Sequence, residues 1–130
     1  GAEEAFAHLK RLTNLETVSQ VTLLHVQDRS HIEPHLVERL DEFNAVDQNR
    51  LEEMKKSLGA PKSVKVSCKL IYGNPHTEIL HELESSDATM IMMGTQGRGF
   101  LRELFVGSVS QYIARRSRVP VLLIPIGTVQ

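Results

Sequence analysis

The 130-residue chain reads as an α/β fold, one open parallel sheet with helices on both faces. Helix-spaced and strand-like segments alternate throughout, in the order α-β-α-β-α-β-α-β. The helical patterns between strands are long enough for right-handed crossovers, which favours parallel pairing. A glycine-rich segment follows the strand-like run at 88–93. Open parallel sheets carry their ligands at that carboxyl end. Residues 1–130 suit a single domain, able to bury about two thirds of its unfolded surface without disulfide or metal staples.

Ala5, Phe6, Leu9 and Leu12 recur at helical spacing, so 2–14 is predicted as a helix. Val18 to Val26 follows as a strand whose nearly continuous apolar end suggests cover on both faces. Residues 27–33 form a polar loop. A long helical stripe then runs through Leu36, Leu40, Phe43, Leu51, Met54 and Leu58, with Gly59 as its stop. Asp47 interrupts that stripe, as it would where the helix overhangs the sheet. Val64, Val66, Cys68 and Leu70 alternate with Lys65, Ser67 and Lys69, the pattern of a half-exposed strand.

Gly73 breaks that strand, Asn74 offers a side-chain cap, and Pro75 stands at the helix position that best tolerates proline. The helix they open ends near Ser85. Ala88 to Met93 is predicted as a buried strand, with Met90, Met92 and Met93 in the core. Val109, Tyr112 and Ile113 mark a helix over 109–117, and Val119 to Ile124 a last strand with Pro120 at its start.

The charge balance of −1 argues against a nucleic-acid binder, which needs a concentrated positive field, and against a polybasic membrane module. The longest nearly apolar run, Val119 to Ile126, is too short to span a bilayer. Cys68 is the single cysteine, and its apolar alternation makes it a core residue of a reducing compartment, the cytoplasm.

The chemistry concentrates in Gly94-Thr95-Gln96-Gly97-Arg98-Gly99 and, further on, Gly107-Ser108. Glycine at a strand end lets backbone N–H groups approach an anion with no Cβ between them. The helix opened by Gly107-Ser108 adds its free N–H groups and dipole as a second wall, and Arg98 and Arg102 lie between the two. The pattern is a two-part phosphate cradle, the alternative being a structural glycine turn. It is neither a P-loop, since no G-x-x-x-x-G-K-[ST] occurs, nor the dinucleotide fingerprint, which fails at its third glycine.

With that spacing the chain resembles the nucleotide-binding branch of the universal stress proteins. Their G-x2-G-x9-G-[ST] stands here as Gly94-x2-Gly97-x9-Gly107-Ser108. The flanking Met90 to Gly94, Val119 to Leu123, Val21 to Val26 and Gly73-Asn74-Pro75 also look like family segments. The resemblance implies a Rossmann-like three-layer sandwich of the adenine nucleotide alpha hydrolase type, with ATP and magnesium as cofactors. Gly94, Thr95 and Gln96 would border the ribose and α-phosphate, and Val26 would sit against adenine. Gly97, Arg98 and Gly99 would hold the polyphosphate from one side, and Ser108, Val109 and Ser110 from the other, with Gly107 permitting the approach. The family's central first strand has no counterpart, so the expectation is a chain incomplete at its N-terminus or supplied with that strand from elsewhere. A homodimer through the last strand, or a tandem partner domain, is implied as well.

Other constellations are weaker. His31 and His35 flank Pro34, His76 and His81 fall on different helix faces, and His25 lies within a strand, so neither metal nor catalytic histidine is expected. Asp87 stands at the wrong end of its strand for hydrolysis, and Asp28 is better placed but carries no other mark of catalysis. The reading is an ATP-binding, nucleotide-responsive regulator. Its alternatives are a dimerisation scaffold without nucleotide and a very slow ATPase.

Overall fold

A computed structural model describes residues 2–12, 18–28, 39–94 and 107–124. Its elements are α1 (Ala2–Leu12), β1 (Gln20–Gln27), α2 (Leu40–Leu58), β2 (Lys65–Tyr72), α3 (Pro75–Ser85), β3 (Ile91–Gly94), α4 (Ser108–Arg116) and β4 (Val121–Ile124). The alternation is the predicted one. Two compact units divide the chain, residues 12–78 and residues 1–11 with 79–130. Each contains one parallel strand pair, β1 with β2 and β3 with β4. Among the described residues neither β1 nor β3 has a second strand partner.

In the first unit β1 and β2 run in register from Gln20 beside Lys65 to Gln27 beside Tyr72. The odd residues of β1 face α2: Val21 and Leu23 are buried there, and the Cys68 thiol donates to Leu51 O at 3.4 Å from the adjoining strand. The even residues are graded, Thr22 exposed and Leu24 and Val26 half-buried. Among the described residues the α2 face of β1 holds its buried side chains, and the other face is partly covered. Leu51 and Leu58 complete this core from α2, which ends at Gly59 in the left-handed conformation, φ 58°, with its N–H on Lys56 O. Burial, with the Glu52 carboxylate adding to it, pushes the Cys68 thiol up, so it stays protonated at neutral pH.

Local chemistry opens α3 as predicted. Asn74 Oδ1 accepts the His76 N–H at 2.8 Å, Glu78 N donates to Asn74 O, and Pro75 takes the first helical position.

In the second unit β3 is shorter than predicted. Ala88 to Met90 precede it and are exposed, Met90 to 45%. The ladder begins where Ile91 N donates to Pro120 O at 3.0 Å. One step earlier the donor would be Pro120, which has no N–H, so pairing cannot extend toward Ala88. Met92 and Met93 are half-buried, and α4 packs on β4 through Ile113, which has no exposed surface. Ser117 makes the turn between them, its hydroxyl donating to Val119 O and accepting the Val119 N–H. Among the described residues no helix is long and apolar enough to cross a membrane.

Candidate functional site

Parallel pairing fixes which backbone groups β3 leaves open. Because Ile91 N donates to Pro120 O, Ile91 and Met93 direct their N–H and C=O groups at β4, whereas Met92 and Gly94 direct theirs away. The Gly94 carbonyl thus has no acceptor role in the β4 ladder. It takes its hydrogen bond from the Ser110 hydroxyl, at 3.1 Å across sixteen residues of sequence. Ser110 is 4% exposed and sits one turn before Ile113 on the buried face of α4. The end of β3 and the first turn of α4 are therefore joined, which brings Gly94, Gly107, Ser108, Val109 and Ser110 into one neighbourhood.

Gly107 is the buried N-cap of α4, extended at φ −61° and ψ 160°, and its carbonyl accepts the Gln111 N–H at 2.9 Å. A glycine has no side chain to offer the first-turn N–H groups, and no cap hydrogen bond is made. The first turn has no acidic residue, and Arg115 and Arg116 close the helix, Arg116 lying 3.9 Å over the Tyr112 ring. The N-terminus of α3 differs. Asn74 caps it, and Glu78 brings a carboxylate into its first turn. The α3 terminus already holds its own acceptors, whereas among the described residues no side chain caps the start of α4.

Val26 lies in β1 on the sheet face away from α2, in the other compact unit. Thr95, Gln96, Gly97, Arg98 and Gly99 lie outside the described residues, as do Arg102, His31 and His35. Asp28 follows the end of β1, and Asp87 stands four positions before the start of β3.

A polar cluster escapes the sequence analysis. Asp47 faces the sheet, not an overhang, because it shares the stripe of Leu51, Met54 and Leu58. Its Oδ2 accepts the Gln27 side-chain N–H at 2.7 Å, and the His25 Nε2 lies 3.4 Å from the same oxygen. His25 and Gln27 are two apart on the α2 face of β1, so their alternation opposite a carboxylate in an apolar stripe was the available signal. His25 is nearly half exposed, not a packed core residue. Replacing Asp47 with leucine would complete the apolar stripe yet take this acceptor from buried Gln27. The expected loss is about 1–3 kcal/mol, with Asp47→Asn costing less because it keeps an acceptor oxygen. Urea denaturation of the two variants measures the difference; a leucine variant as stable as the parent would remove the cluster's structural role. Among the described residues no three His, Cys, Asp or Glu side chains group as metal ligands.

Comparison with known proteins bears on the whole chain. A sequence profile described as "Universal stress protein family" matches residues 1–125. The Universal stress protein MJ0577 of Methanocaldococcus jannaschii is 30% identical over 142 residues, 95% of this chain and 86% of the relative. The solved structure of MJ0577 superimposes with a TM-score of 0.81, covering 98% of this chain and 90% of its own. The crystal structure of PH0823 gives 0.71 at 27% identity, covering 99% and 89%. YxiE of Bacillus subtilis, also a universal stress protein, is 25% identical over 123 residues, 95% of this chain and 79% of the relative. These likenesses agree with the Rossmann-like α/β sandwich expected from the alternation of elements. By the profile match and the MJ0577 relationship, the chain belongs to the universal stress protein family.

Proposed function

We propose that this chain binds ATP with magnesium and acts as a nucleotide-responsive stress regulator in the cytoplasm. The observation that supports the reading is the contrast between the two helix starts. The α3 terminus is served by Asn74 and Glu78, whereas the α4 terminus has a glycine cap, no first-turn acid, and a serine tie to the end of the glycine-bearing strand. In this reading the N–H groups of Ser108, Val109 and Ser110 and the Ser108 hydroxyl receive phosphate oxygens from one side. Gly97, Arg98 and Gly99 close the cradle from the other. Gly94, Thr95 and Gln96 border the ribose and α-phosphate. Magnesium, bound with the triphosphate, would offset charge that the backbone dipoles alone leave uncompensated. No residue is assigned to hydrolysis. Leu122 is 38% exposed on β4, and a second copy of the chain pairing there would bury it.

Calorimetric titration with MgATP tests the reading. One-to-one saturable binding is expected for the parent chain and its loss for Gly97→Val, whose branched side chain would occupy the anion's approach. Equal binding by both would show that Gly97 takes no part in the phosphate contact, whereas the scaffold alternative requires that neither binds. Absence of binding by the parent would overturn the proposal for this chain.

A further inference from the structure

We infer that the two serines of Gly107-Ser108-Val109-Ser110 have different tasks, Ser108 facing the ligand and Ser110 acting as a positioning residue. The inference rests on the phosphate-cradle reading above and deepens it. A serine hydroxyl has one proton to donate. In Ser110 that proton goes to the Gly94 carbonyl at 3.1 Å, and the side chain is 4% exposed. Ser108 is exposed at the first position of α4.

The Gly94 carbonyl is the last one of β3 and points to the edge away from β4, so without Ser110 it loses its partner in a part-buried position. The bond holds the point where the glycine segment leaves the strand against the N–H groups at the start of α4. Ser110 thereby sets the spacing between the end of β3 and the start of α4 without touching the phosphates through its hydroxyl. Ile113, one turn on and fully buried, holds the same helix face in place.

The experiment uses the whole chain, as parent, Ser110→Ala and Ser110→Thr. It combines the Gly94 carbonyl carbon resonance without nucleotide and the MgATP affinity by calorimetry. In Ser110→Ala the carbonyl resonance is expected to move and the affinity to fall about tenfold, the scale of one lost hydrogen bond. Ser110→Thr retains the donor and should restore both. An unmoved carbonyl resonance together with lost affinity would make Ser110 a direct phosphate ligand and overturn the inference. A moved resonance with parental affinity would overturn it too, since the spacing would then not matter to the ligand. If the parent binds no MgATP, the nucleotide reading fails and takes the Ser108 assignment with it. The carbonyl resonance then still decides whether the strut exists.

Discussion

Replacing Ile113 with alanine should lower stability by about 2–5 kcal/mol, the range for removing a large aliphatic side chain from a closed core. Ile113 has no exposed surface, and α4 reaches β4 through this face. Its removal leaves a cavity that the short helix can close only by moving. Movement is opposed at both ends: Ser110 is bonded to Gly94 O, and Ser117 N donates to Ile113 O at 2.8 Å before its hydroxyl engages Val119. Ile113→Val, with one methylene fewer, should cost about 0.5–1.5 kcal/mol. Urea denaturation of both variants provides the measurement. A loss below about 1 kcal/mol for alanine would mean that the helix collapses onto the strand freely. The consequence reaches the candidate site, because the N–H groups proposed to meet phosphate stand on the helix to which Ile113 belongs.

How far the fold is legible in the sequence depends on how local each determinant is. The start of α3 is legible because Asn74 and Pro75 act through contacts within four residues. The start of β3 was not. Ala88 to Met90 have strand-like composition, and the residue that denies them a ladder, Pro120, is thirty positions away. Asp47 was misplaced for a similar reason: helical spacing assigns a residue to a stripe but does not say which strand lies beneath it. The glycines of the candidate site announce themselves by spacing, as does the helix that Gly107 opens. The bond from Ser110 to Gly94 leaves no trace in either pattern, since it depends on strand parity and on a contact over sixteen residues.

Gly73→Ala should cost about 2–4 kcal/mol, from two causes that a double-mutant cycle separates. The first is the backbone. Gly73 has φ 138°, which L residues rarely adopt, and strain of this kind costs about 1–3 kcal/mol. The second is space, because a Cβ there would stand 2.9 Å from Glu78 Cγ and 3.0 Å from its Oε1. The turn cannot relax at no cost, since the Gly73 N–H donates to Gln27 O at 3.1 Å where the β1–β2 ladder ends. Nor does Glu78 leave freely, because its carboxylate favours the first turn of α3 by about 0.3–1 kcal/mol. Glu78→Ala in the Gly73→Ala background should therefore recover the steric part and leave the backbone part. Gly59 is the control. Its φ is 58° and nothing lies within 4 Å of a Cβ built there, so Gly59→Ala should cost only the conformational penalty, about 1–2 kcal/mol. If Gly73→Ala proves no more costly than Gly59→Ala, the close approach of Glu78 does not constrain the turn. If the double mutant recovers nothing, the backbone carries the whole effect. A larger loss at Gly73 with partial recovery would show that this glycine serves both needs, the turn out of β2 and the room for a carboxylate in the first turn of the next helix.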